Sequence, residues 1–195
     1  EIGMDKKGEI NNLSKIIKPQ IATITNVSEA HIKNFNTLKD IAKAKSEIID
    51  NIMEDGNIIL NKDDKFFNFL SNKARKKKIK IISFSSKKKA DIFLLKTRKV
   101  KNCYRLKIIV NKRIFYFDTM YSTNNFINNI LACISVLSVL NLDLNKMGKK
   151  FINFTIPSGR GDIKIVNKFK KRFKFIDESY NANPLSMLSA IRNMN

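Results

Sequence analysis

Apolar residues recur along this chain in two rhythms, and the switch between them marks out its elements. Ile21-Ala22-Thr23-Ile24-Thr25 is a short β-branched run behind Pro19, which predicts a buried strand ending at Asn26. Over 38–53 the spacing turns helical: Leu38, Ile41, Ala42, Ile48, Ile49 and Ile52 fall on one face, and Gly56 supplies a stop. Ile58-Ile59-Leu60 predicts the next strand, 66–77 a helix and 79–84 a strand. Three further strands are expected at 92–95, 104–110 and 114–117, the last two joined as a hairpin turning at Asn111-Lys112. Over 126–140 a second long amphipathic helix carries Ile127, Ile130, Leu131, Ile134 and Leu137 on one side, and a shorter helix is expected near Leu144. After the turn-forming Ile156-Pro157-Ser158-Gly159-Arg160-Gly161-Asp162, the stretch 173–177 predicts a strand, and Pro184 opens a helix. Such alternation, with its late hairpin, specifies an α/β sheet domain followed by the opening of a second α/β domain. The boundaries expected are 1–157 for the first domain, 158–172 for a linker and 173–195 for the start of the second.

A chain of 195 residues, 43% of them hydrophobic, can bury one full domain or one domain and part of another. Cys103 and Cys133 have no metal-knuckle spacing and suit a reducing compartment. No apolar run reaches membrane-spanning length, and residues 1–9 have neither the basic start nor the apolar core of a signal peptide, so a soluble, cytoplasmic protein is expected. The chain opens on Glu1 rather than Met and stops inside an apparent helix, so it is expected to be an excerpt of a longer one. Its formal charge of +21, from 38 Lys and Arg against 17 Asp and Glu, raises nucleic acid as a partner. The lysines are spread along the chain, however, and the densest run, Arg75-Lys76-Lys77-Lys78 with Lys87-Lys88-Lys89, lacks interleaved aromatics for base stacking. A solvated face is the favoured reading, with no nucleic acid partner; a basic nucleic-acid-binding module stays as the alternative from a different class.

Three positions carry candidate chemistry. Lys45 falls at the centre of an apolar helix face, seven residues from both Leu38 and Ile52. Stranding its ammonium there costs several kcal/mol unless it is paired or neutralised. Either its stem snorkels to water or the lysine turns into an active-site cleft. His31, the one histidine, follows the carboxyl end of the first strand, where open α/β sheets place their ligands. With Glu1 and Glu29 nearby in sequence, it suits magnesium held by a carboxylate, an imidazole and substrate phosphates. Asp177-Glu178-Ser179-Tyr180-Asn181-Ala182-Asn183-Pro184 closes a strand and opens a helix. Asn183 and Pro184 are ordinary start signals, and the polar residues before them sit where ligands bind beside a domain boundary. None of the six glycines begins a P-loop pattern.

Taken together these motifs resemble the Mur ligases, specifically the branch that adds D-alanyl-D-alanine, through nearly the whole chain. Glu1-Ile2-Gly3-Met4 with Gly8-Glu9-Ile10 resembles the family's Glu-x-Gly segment, and Ile24-Thr25-Asn26-Val27 with Ala30-His31 the strand leading to its metal-binding histidine. Ile41-Ala42-Lys43-Ala44-Lys45-Ser46-Glu47-Ile48 is similar to its Ala-Lys-x-Glu-Ile helix, and Leu60-Asn61 with Asp63-Asp64 to its Asn-x-Asp strand end. The octapeptide 177–184, followed by Ser186-Met187, is the most specific piece. The resemblance implies most of the central ATPase domain, a P-loop-type sheet without the P-loop itself, followed by the first strand and helix of a Rossmann-like carboxyl-terminal domain. It implies ATP and Mg2+ as cofactors, UDP-N-acetylmuramoyl-tripeptide and D-alanyl-D-alanine as substrates, and a monomeric intact enzyme. The implied chemistry is activation of the tripeptide carboxylate to an acyl phosphate and attack by the dipeptide amine.

Carried over by position, Glu1 and His31 would help hold magnesium, and Lys45 would be the lysine that family members carbamylate. Asn129 matches an asparagine near the adenine and Arg160 an interdomain arginine that reaches the phosphates. Asp177, Glu178, Asn181 and Asn183 would line the cleft. The chain departs from the family at Asp5-Lys6, where Asn-His is common, and at Thr123-Asn124-Asn125, where Gly-x-His is. No turnover is expected of this chain alone. A folylpolyglutamate synthase or another Mur-type ligase is the alternative within the class, and the octapeptide argues against it.

Overall fold

The computed structural model of the chain describes residues 1–28, 34–180 and 184–192. They divide into two compact units, Glu1–Asn153 and Phe154–Asn195. In the first, β1 (Ile21–Ile24), β2 (Asn57–Asn61), β3 (Lys80–Ser85), β4 (Ile92–Val100), β5 (Cys103–Val110) and β6 (Arg113–Thr119) lie side by side in chain order. β1 to β4 run parallel, and β4, β5 and β6 form an antiparallel meander. Parallel neighbours ordinarily need a crossover of a dozen residues or more. Here the six residues 86–91 suffice because β4 overlaps β3 only at Phe84–Ile92 and Ser85–Phe93. β4 then runs on through 94–100, which carries the meander roughly 20 Å past the end of β3 at the usual rise per strand residue.

Strand alternation splits the core into two layers. Ile58 and Leu60 of β2 face the cluster covered by α1 (Glu9–Ile17), α2 (Leu38–Lys45) and α3 (Phe67–Lys76). Ile59 faces the opposite cluster, where Ile127, Leu131 and Ile134 of α4 (Asn124–Val139) meet Leu106, Ile108 and Phe117. β2 is therefore apolar on both sides and reads as an unbroken run, as a central parallel strand must. Phe117, fully buried, packs edge-on against Phe151 at 5.4 Å between ring centroids. α5 (Leu144–Met147) and the turn after it lie alongside β6, and Asp118 N–H donates to the Gly148 carbonyl at 3.0 Å.

The helix expected over 38–53 ends at Lys45 and tightens into a 3-10 segment, Ser46–Asn51. Its start is set locally: Thr37 Oγ1 accepts from Asp40 N–H at 3.2 Å and donates to the Asp40 carboxylate at 2.7 Å. α1 has no such local signal. Glu47 supplies its cap from the 3-10 segment, accepting from Gly8 N–H at 2.9 Å and from Asn11 N–H at 3.1 Å. Gly8 itself sits at φ 93, a conformation that side chains rarely adopt.

In the second unit, β7 (Asp162–Lys168) and β8 (Lys171–Asp177) form a hairpin turning through Phe169 and Lys170, both at positive φ, and α6 (Pro184–Arg192) follows. The stretch 158–172, expected to be a linker, thus holds a strand. Its apolar positions, Ile163, Ile165 and Val166, are all more than a third exposed and set among charged and polar residues, so no long apolar run announced it. Phe117→Ala is expected to cost about 3–5 kcal/mol, since it opens a cavity beneath α4; urea denaturation of the two proteins measures it.

Candidate functional site

The sequence Asn61-Lys62-Asp63-Asp64 ties together the carboxyl ends of β1, β2 and β3. Asn61, buried at the end of β2, donates its amide to Thr25 O at 3.0 Å and accepts from Asp63 N–H at 2.9 Å. Asp64 accepts from Val27 N–H, beyond β1, and from Phe66 N–H at the start of α3, both at 2.7 Å. Asp63 reaches the other way, accepting from Ser85 Oγ at 2.7 Å and from Ser86 N–H at 2.8 Å. Ser85 Oγ in turn accepts from Lys87 and Lys88 N–H at 3.0 and 2.6 Å, which folds the lysine-rich loop back over the strand end. Each oxygen of both aspartates thus accepts at least one hydrogen bond that holds a loop. Beside them, Lys62, Ser83, Lys89, Ala90 and Asp91 line a cavity of about 300 Å³, in which Asp91 accepts from Ser83 N–H and Oγ at 2.8 and 2.6 Å.

Lys45 lies at the last position of α2, half-buried, with Nζ donating to Asn26 O at 2.8 Å just past β1. It does turn toward the strand ends rather than away into solvent. Burial pushes its amine below the usual lysine range, and the Asp64 carboxylate opposes that shift. An amine so placed spends more time neutral than a surface lysine does, and only the neutral form is a nucleophile.

The remaining expected residues separate into three groups. Glu1 is exposed at the start of the chain, and His31 lies outside the described residues, as do Asn181 and Asn183. Among the described residues no three His, Cys, Asp or Glu side chains gather as a metal group. Asn129 is exposed on α4. Its neighbour Asn128, which the helical pattern did not single out, has a buried Oδ1 with no hydrogen-bond partner.

In the second unit Arg160, Asp177 and Glu178 come together. Gly161 N–H donates to Asp177 O at 2.7 Å and Tyr180 N–H to Gly159 O at 3.0 Å, so the Gly-Arg-Gly turn is laced to the end of β8. Both glycines have positive φ, and a Cβ at Gly159 would come within 2.9 Å of the Tyr180 Cβ. Between them the Arg160 guanidinium stacks on the Tyr180 ring at 4.3 Å. Tyr180 is a residue that the sequence did not mark individually; the available signal was an aromatic inside an otherwise polar strand end. Two hydrogen bonds from Ser179 hold the Asp177 carboxyl below the usual range, whereas burial, helped by Asp177, pushes Glu178 up.

A six-stranded mixed sheet whose parallel strand ends carry this lysine and loop network defines an α/β domain of the kind that binds ligands at its carboxyl edge. Residues 1–137 match the model of the Mur ligase middle domain, and the chain belongs to the Mur ligase family. It is 31% identical over 192 residues to the UDP-N-acetylmuramoyl-tripeptide–D-alanyl-D-alanine ligase of Rickettsia prowazekii, covering 98% of this chain and 42% of that protein. The ligase of the same description from Buchnera aphidicola subsp. Baizongia pistaciae is 31% identical, with 98% and 41% covered. Among solved structures, MurF from Acinetobacter baumannii superposes with a TM-score of 0.84 at 27% identity, covering 97% of this chain and 40% of that one. The chain therefore spans about two-fifths of the length of these relatives.

Replacing Asn61 by Ala removes one buried donor and one acceptor, and about 1–3 kcal/mol of stability is expected to go with them. Thermal unfolding followed by circular dichroism gives the value, and exchange of the Asp63 amide with solvent is expected to accelerate.

Proposed function

We propose that this chain is part of an ATP-dependent ligase that joins D-alanyl-D-alanine to UDP-N-acetylmuramoyl-tripeptide. The observation that carries the reading is the span of the likeness: relatives that bear this activity in their names match 98% of the chain, the 177–184 octapeptide included. The placement of Lys45 supports it. Its amine is weakened by burial and held at the end of β1, beside the segment that leads to His31.

Each residue then has a task. Lys45, once its neutral amine has taken up carbon dioxide, presents an anion in place of a cation on the half-buried face, suited to a site rich in metal and phosphate. Glu1 and His31 would hold magnesium, whose chemistry when bound is to neutralise charge on the phosphates. Their donor types fit a hard cation completed by water and phosphate oxygens, whereas Asp63 and Asp64 hold the loops through hydrogen bonds. Asn129 approaches the nucleotide base. Arg160, stiffened by Tyr180, meets phosphate charge with a planar donor array. Asp177, Glu178, Asn181 and Asn183 orient the attacking dipeptide.

Ligation tests the reading. The enzyme carrying this chain, supplied with ATP, magnesium, the UDP-linked tripeptide and D-alanyl-D-alanine, is expected to release phosphate and form the pentapeptide product. Turnover with glutamate on a folate acceptor instead would replace the reading with that of a folylpolyglutamate synthase.

Exposure to 13C-labelled bicarbonate is expected to produce a carbamate resonance that Lys45→Arg abolishes. Because only the deprotonated amine reacts, the signal should grow as pH rises, and it should begin to do so at lower pH than for any exposed lysine. Lys45→Ala is expected to reduce ligation by about 100-fold or more, the scale of losing one preorganised electrostatic group.

A further inference from the structure

The helical layer formed by α1, α2 and α3 stops short of the meander: α3 packs on β2 and β3. Beyond it the same side of the sheet continues across β4, β5 and β6 in three cross-strand rows. Phe93, Ile109 and Ile114 form one row, Lys96, Lys107 and Tyr116 the next, and Arg98, Arg105 and Asp118 the third. Two features of these rows are unusual. Lys96 stands directly opposite Lys107 and Arg98 directly opposite Arg105, an arrangement of like charges that weakens a sheet. Only one carboxylate answers them: Asp118 is held by Arg105 through two bonds of 2.7 and 2.9 Å. Among the described residues Lys96, Arg98 and Lys107 have no ion-pair partner. The rows also expose apolar surface beside the cations, with Ile114 50% and Tyr116 56% accessible.

We propose that this open face of β4, β5 and β6 docks on an anionic lipid surface. Unanswered cations side by side on neighbouring strands call for a partner that supplies many negative charges over one surface, and each such cation adds to attraction toward an anionic leaflet. Exposed Ile114 fits the acyl boundary of such a surface, and Tyr116 the headgroup level where aromatic residues with a polar tip collect. A single-stranded nucleic acid fits less well. It wants several aromatic platforms along the cation track, and these rows hold only two rings, Tyr116, which is exposed, and Phe93, which is half-buried.

Sedimentation with vesicles of phosphatidylcholine doped with phosphatidylglycerol tests this, with vesicles of phosphatidylcholine alone as reference. Lys96→Glu combined with Arg98→Glu turns both like-charge pairs into opposite-charge pairs, so the fold is retained and the melting temperature is expected to hold or rise. Binding to the anionic vesicles is expected to fall roughly tenfold or more. Lys76→Glu combined with Lys78→Glu makes the same charge change within the densest basic run and is expected to leave most of the binding intact. Ile114→Ser is expected to remove the part of the binding that survives added salt. Equal losses from the two double variants would reduce the effect to net charge and overturn the proposal, as would equal binding to uncharged vesicles. Tighter capture by a single-stranded oligonucleotide, lost with Lys96 and Arg98, would give the face to nucleic acid instead.

Discussion

Everything at the carboxyl edge of this sheet depends on two adjacent carboxylates whose oxygens all accept hydrogen bonds from the surrounding loops. Asp63 and Asp64 follow the central strand and reach in opposite directions, one to the Ser85-Ser86 turn and the other to Val27 and Phe66. Strand ends leave backbone N–H groups facing partly dry space, and each one left unsatisfied costs on the order of a hydrogen bond. By answering those donors, the aspartates fix the exit of β1, the entry of α3 and the lysine-rich loop relative to one another. Lys45 then has a defined place to aim, because the Asn26 carbonyl that receives its Nζ belongs to the same stitched segment.

Much of this was legible in the residues, and what was not has physical causes. Strands β1, β2 and β3 were visible because their apolar runs are buried on both faces. α4 was visible because its amphipathic face is long. α1 was not, since the carboxylate that caps it lies 36 to 39 residues away on Glu47 and no local spacing encodes such a partner. β4 was read as ending at 95. A register shift between Leu94 and Lys96 interrupts the alternation there, and the continuation is basic because one of its faces is open. β7 was hidden for a related reason, its apolar residues being exposed.

The candidate site divides in the same manner. Lys45 could be picked out because a cation at the centre of an apolar stripe violates the pattern, and its half-buried place with Nζ turned to the β1 exit resolves the violation. Arg160 was marked by the family resemblance, at a turn between two glycines. Its support was less visible, since stacking on Tyr180 follows from how a turn folds onto a strand end, and spacing along a chain carries no record of that. Asn128 broke no sequence rule. Its unpartnered oxygen becomes apparent only once the space around the helix is filled.

The Gly148 carbonyl that takes the Asp118 amide gives the sheet a direction of growth. It occupies a ladder position on the outer edge of β6, and even a Cβ at Gly148 would run into the Tyr116 carbonyl oxygen, so the chain presses closely against that edge. The carboxyl end of β6 is therefore closed to another strand. Among the described residues β1 pairs only with β2, so its other edge can still receive a strand, from the same polypeptide or a neighbouring molecule. Assembly and misassembly would then compete for that short edge of four residues.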